Sequence, residues 1–153
     1  MNLLLWRHAD AEEGTPDLTR PLSAKGHEQA QQMGRWIRKR LPGHASILSS
    51  PALRARQTAD GLELDYAIQT ELAPGAAAED ILAFLTLPQA ASRNETVVLV
   101  GHQPWLGEAA ALLIAQQRLS WSVRKASVWW LTFRQRGPAP EWTLKVVMDP
   151  EFI

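Results

Sequence analysis

Apolar positions along this chain fall into two rhythms. Short apolar runs, of the kind that fill strands buried on both faces, occur at Asn2–Trp6 (NLLLW) and Thr96–Val100 (TVVLV), and Ala45–Ser50 (ASILSS) reads as another short strand. TVVLV is continuous and β-branched, and carries the strongest strand signal. Ala126–Phe133 (ASVWWLTF) and Glu141–Val147 (EWTLKVV) read as two further strands joined across a hairpin loop, RQRGPAP, and Tyr66–Thr70 reads as a brief edge strand. Between the runs the period changes. Ala30, Met33, Ile37 and Leu41 recur at spacings of three and four. That stripe predicts a helix from an N-cap at Ser23 to about Leu41, with cations of RWIRKR in its last turns and PGH ending it. A second helix is expected after Ser50 as cap and Pro51 as first helical residue, a third over Ala78–Leu87, and a fourth from Trp105 to Gln117.

Strand and helix alternate, and an antiparallel-looking pair follows. This order predicts an α/β, three-layer sandwich with a mostly parallel central sheet. A length of 153 residues suits one domain over residues 1–153, and no internal repeat, low-complexity tract or linker interrupts it. Trp129 and Trp130 are adjacent in a strand and should face opposite sides of the sheet. Trp105 follows GHQP directly, where packing at the helix start competes with a place on the rim of a pocket.

Composition narrows the function. Sixteen basic residues balance sixteen acidic ones, which removes any bulk electrostatic case for nucleic acid or an anionic membrane. The basic set holds twelve Arg against four Lys, and Arg suits bidentate oxyanion binding, although genomic base composition accounts equally well for surface arginines. The absence of cysteine excludes disulfides, thiol catalysis and Cys-ligated zinc. No signal peptide is visible and no apolar run approaches the roughly 20 residues that span a bilayer. The expected location is cytoplasmic.

Ligands in open α/β sheets bind beyond the carboxyl ends of the strands. Arg7 and His8 follow the first strand. Ser50 and Pro51 follow the second, with Arg54 one turn into the next helix. Gly101 and His102 follow the third. Each residue alone has an ordinary explanation as a solvated edge or loop residue. Together they place two arginines and two imidazoles at one sheet edge, where arginines clamp phosphate oxygens and an imidazole can act as nucleophile. A helix N-terminus near Ser50 adds to the case for an anion. His27 and His44 have no such company and are expected at the surface.

The segments LWRHADA, RPLSAKG, SSPALRARQTA and VLVGHQP resemble, in order and approximate spacing, the histidine phosphatase superfamily, which has the phosphoglycerate-mutase-like fold. The short length, RHA, and the early RPLSAKG resemble its small branch of SixA-type phosphohistidine phosphatases. The resemblance implies that His8 takes up the phosphoryl group, that Arg7 and Arg54 bind its oxygens, and that His102 completes the pocket. Ser50 joins them as a substrate-binding residue. It implies no metal and no cofactor, positive side chains doing the electrostatic work. It also implies that the arginines depress the pKa of His8. The implied partner is a phosphorylated protein, a phosphohistidine-bearing signalling domain. Oligomeric state is not readable.

Larger members of the superfamily that hydrolyse phosphate monoesters protonate the leaving oxygen with a carboxylic acid. Here Asp10, Glu12, Glu13, Glu71, Glu79 and Asp80 lie near the expected place, and spacing singles out none. Asp10 and Glu71 have the best case for the acid or the pocket rim. The small chain leaves little material for a lid, so an open pocket is expected. Three rival readings stand beside a phosphohistidine phosphatase: a small-molecule phosphomonoesterase, a phosphate-binding module without turnover, and a His-ligated metal protein. The third fits poorly, because His8 and His102 have no third partner at ligand spacing.

Overall fold

A computed structural model of the protein describes residues 1–85 and 96–153. The elements in chain order are β1 (Asn2–Arg7), α1 (Ala24–Arg38), β2 (Ala45–Ser49), α2 (Leu53–Asp60), β3 (Ala67–Ile68), α3 (Ala78–Leu85), β4 (Thr96–Gly101), α4 (Trp105–Ala115), β5 (Val128–Arg136) and β6 (Ala139–Met148). The strands form one sheet in the order β3-β2-β4-β1-β5-β6. The first four strands of that order pair in parallel, and β5 and β6 add on antiparallel. No helix among the described residues is long and apolar enough to cross a membrane.

Strand alternation divides the core in two. Leu4 and Trp6 of β1, with Val98 and Val100 of β4, point to the face covered by Met33 and Ile37 of α1 and Ala55 and Ala59 of α2. Leu3, Leu5, Val97 and Leu99 point to the other face, against Ile81 and Leu85 of α3 and Trp105, Leu106, Ala109 and Ala110 of α4. A sheet covered on both faces explains why these strands read as continuous apolar runs. Trp130 joins the first cluster and Trp129 packs on the second, so the adjacent pair does divide between the faces.

Several boundaries differ from the sequence expectation, each for a local reason. Ser23 caps α1, its Oγ accepting from the Gly26 N–H at 3.0 Å, but the helix ends at Arg38, and Arg40 and Leu41 close a turn on the Ile37 carbonyl. Ser50 does not cap α2. Its hydroxyl is engaged by His102, and the helix begins at Leu53 with Ala52 as cap. The hairpin between β5 and β6 is tighter than a seven-residue loop, because the strands continue to a turn at Gly137 and Pro138. The third helix is seen to Leu85, and the rest of its expected span lies outside the described residues.

Gly101 owes its place to a close approach. A Cβ there would sit 1.9 Å from Cζ2 of Trp105, whose ring is fully buried against this strand end. The glycine therefore makes room for an indole, and Trp105 belongs to the core, not to a pocket rim. Gly101→Ala should overpack this junction and lower stability by about 1–3 kcal/mol, read as the shift of a urea unfolding midpoint. An unchanged midpoint would contradict this reading.

Candidate active site

The parallel ladder lines up three strand ends. Arg7 is the register partner of Gly101, the His8 amide donates to the Gly101 carbonyl at 2.9 Å, and the Ser50 amide donates to the Val100 carbonyl at 3.0 Å. The residues after β1, β2 and β4 consequently meet. The rings of His8 and His102 lie 5.1 Å apart between centroids, and the Arg54 Nε faces His8 Nε2 at 3.4 Å. All three side chains are buried, His8 being 7% exposed and His102 2%. His27 and His44 are exposed, far from any such role.

His8 is held in one tautomer by its own backbone. Its Nδ1 lies 2.8 Å from the Ala9 carbonyl, which can only accept, so Nδ1 carries the proton. Nε2 is left with a lone pair on the side of Arg54. The Ala9 peptide is itself fixed, because its N–H donates to the Thr58 hydroxyl at 3.0 Å while that hydroxyl donates to the Arg54 carbonyl at 2.7 Å. Gln57 accepts from the Leu22 amide, and Gln29 from the Asp10 amide. One helix thus supplies the guanidinium and also ties down the loop that orients the imidazole. Gly26 lets the first turn of α1 reach the same loop, since a Cβ there would sit 1.9 Å from the Asp10 carbonyl oxygen.

His102 shares a hydrogen bond of 2.7 Å between Nε2 and the Ser50 hydroxyl, which also accepts from the Ala52 amide at 3.2 Å. Its Nδ1 is buried and has no protein partner. Burial lowers the pKa of both rings. His8 falls to about 4, with the Arg54, Arg7 and Lys125 charges adding to the burial cost and the Ala9 bond opposing it. His102 falls to about 3, through burial and then repulsion from His8 and Arg54, with Asp17 opposing. The arginines do depress His8, but burial is the larger cause.

Arg7 donates from Nη1 to the Val123 carbonyl at 2.8 Å, and its buried Nε has no protein partner. Arg54 is 4% exposed and gives Nη1 and Nη2 to the Asp17 carbonyl and carboxylate, at 2.8 and 3.0 Å. Asp10 is engaged by Lys125 at 2.7 Å and by the Ser23 hydroxyl at 2.7 Å, contacts that hold its carboxyl below the usual range. Glu71 is exposed, accepts from the neighbouring Thr70 hydroxyl, and makes no hydrogen bond or ion pair with Arg7, His8, Arg54 or His102. A cavity of about 810 Å³ is lined by Arg7, Asp10, Lys25, Arg124 and Lys125, and neither His8 nor His102 lines it.

Asp17, Thr58 and Lys125 went unrecognised in the sequence. Asp17 sits in a polar loop with ordinary turn chemistry, Thr58 inside a helix, and Lys125 far along the chain from the residues it meets. Only Thr58 had a signal, its position one turn after Arg54 on the same helix face.

The family profile for the histidine phosphatase superfamily (branch 1) matches residues 3–77. The phosphohistidine phosphatase SixA of Escherichia coli (strain K12) is 30% identical over 123 residues, covering 74% of this chain and 74% of that protein. The chain belongs to the histidine phosphatase superfamily. Within it, the putative phosphohistidine phosphatase SixA from Agrobacterium tumefaciens is 25% identical, with a TM-score of 0.79 over 97% of both chains. The protein histidine phosphatase SixA in complex with tungstate shares the fold at a TM-score of 0.82 over 99% of both chains, at 22% identity. Superfamily membership, with Escherichia coli SixA among the relatives, supports a phosphatase.

The buried, neutral imidazoles have a measurable signature. A group that binds protons more weakly when folded takes them up on unfolding, so acid lowers stability. The contribution of His8 and His102 is present in full above the unfolded value near 6.5 and is lost as pH falls towards about 4 and about 3. Each ring can cost up to about 1.4 kcal/mol per pH unit in that window. Ring ¹⁵N titration of the anion-free protein should find both rings neutral at pH 6. Either ring titrating at or above 6.5 would contradict the arrangement.

Proposed function

We propose that this phosphatase removes phosphate from phosphohistidine in a partner protein, through a covalent phosphohistidine on His8. The observation that carries the substrate class is the state of the nearby carboxylates. Asp10 is held ionised chiefly by Lys125, and Asp17 chiefly by Arg20 with Arg54 adding. Neither has a proton to give to a leaving alkoxide. An imidazole leaving group needs no such acid, because it departs neutral when its other ring nitrogen is protonated. Transfer then runs from one imidazole to another, and the bond made resembles the bond broken.

In the first step the His8 Nε2 lone pair forms a bond to phosphorus as the P–N bond to the substrate ring breaks and its electron pair leaves with that ring. The proton on His8 stays on Nδ1, which donates it to the Ala9 carbonyl, so the positive charge of the phosphoimidazolium is stabilised in place. Arg54 Nε and Arg7 Nε donate to the equatorial oxygens. Ser50 donates to His102 Nε2, which leaves Nδ1–H of His102 to donate to a third. In the second step a water oxygen bonds to phosphorus, the His8–P bond breaks, and its pair returns to Nε2. The water protons pass to the departing phosphate and to solvent. The broad cavity beside Arg7 is lined by charged side chains of both signs, which suits the surface of a protein more than a small metabolite.

Rates on a phosphohistidine-bearing protein and on p-nitrophenyl phosphate test this reading. The protein substrate should have the higher kcat/KM. Asp10→Asn and Glu71→Gln should each leave its hydrolysis within about tenfold, whereas loss of a general acid costs about 100- to 10,000-fold. A loss of that size, or a clear preference for the ester, would favour a small-molecule phosphomonoesterase instead.

A further inference from the structure

Arg54 is a cation buried at 4% exposure, and a buried charge is costly unless another charge balances it. The balancing group is Asp17, on the short turn Asp17–Thr19 that lies over α2. Asp17 takes the far edge of the guanidinium, its carbonyl on Nη1 at 2.8 Å and its carboxylate on Nη2 at 3.0 Å, while Nε faces His8 at 3.4 Å. The pair is unequal. The Arg54 side chain is 5% exposed and that of Asp17 53%. The carboxylate also has a second partner, since its Oδ1 pairs with Arg20 at 3.1 Å.

A phosphate dianion at His8 would bring its own negative charge to Arg54. The Asp17 carboxylate would then stand close to a like charge, yet it is half in water and keeps Arg20. We propose that Asp17 is the internal counter-charge of the phosphate site, neutralising Arg54 in the free enzyme and limiting how tightly the site holds inorganic phosphate. The inference rests on the reading of Arg54 as a phosphoryl-binding residue. Two effects point the same way. Removing the Asp17 charge raises the energy of the free site, where Arg54 loses its counter-ion, and it removes repulsion in the bound site. Product release follows: two arginines without an internal competitor would retain phosphate, and Asp17 favours its departure.

Asp17→Asn isolates the charge, because the amide keeps an oxygen that can accept from Arg54. Calorimetric titration with inorganic phosphate, at a pH where the dianion dominates, should show Kd about tenfold lower than for the wild type, the scale of a close charge pair. Arg20→Ala should act oppositely and weaken binding, because Asp17 loses its alternative partner. In the Asp17→Asn background the Arg20→Ala change should shift Kd by less than about twofold, since Arg20 then has no carboxylate to hold. Thermal unfolding checks that each variant is folded, and Asp17→Ser replaces Asp17→Asn if that protein does not fold. Unchanged or weaker phosphate binding by the folded Asp17 variant would overturn the proposal. So would an equal Arg20→Ala effect in both backgrounds. A wild type that binds no phosphate would instead overturn the reading of the site itself, and the inference with it.

Discussion

The hydrogen-bond ladder joining β2, β4 and β1 in parallel runs one residue beyond the strands, and the site depends on that extension. The His8 amide reaches the Gly101 carbonyl and the Ser50 amide reaches the Val100 carbonyl. These bonds fix where three chain segments turn off the sheet edge. Parallel pairing points all three carboxyl ends the same way, so a residue placed just past each strand must meet the others. The two-sided core then makes the edge rigid. Leu3, Leu4, Leu5 and Trp6 lock β1 between helices on both faces, and Gly101 lets Trp105 close against β4.

Chemistry follows from what this edge buries. A guanidinium and two imidazoles in a low-dielectric pocket can remain charged and neutral respectively only with specific partners. Asp17 balances Arg54. The rings shed their protons, and the Ala9 carbonyl decides which nitrogen of His8 keeps its hydrogen. Thr58 links these two arrangements, since one hydroxyl joins the Arg54 backbone to the Ala9 amide. Moving α2 would therefore disturb the cation and the tautomer of His8 together.

Much of this was legible in the sequence because strands buried on both faces announce themselves as unbroken apolar runs. Arg7, His8 and His102 are legible from strand-end positions, and Arg54 from its place one turn into the helix after the second strand. Partners that approach from loops were not legible. Asp17 looks like any turn acid, and Lys125 is 115 residues from the Asp10 it pairs with. Ser50 reads from the sequence both as a helix cap and as a substrate-binding residue, and in the fold its hydroxyl is the partner of His102, because only the fold chooses among the roles open to a serine after a strand. Gly101 was legible as a glycine but not its reason, which is the volume of an indole four residues later.

The central claim is that His8 attacks through Nε2 because its other nitrogen is held by Ala9. The phosphoenzyme can be trapped by rapid quench into base, which preserves phosphohistidine, and its labelled ring analysed by ³¹P and ¹⁵N NMR. The account predicts phosphorus on His8, bonded to Nε2, with no label on His102. Phosphorus on Nδ1 of His8, or on His102, would contradict it.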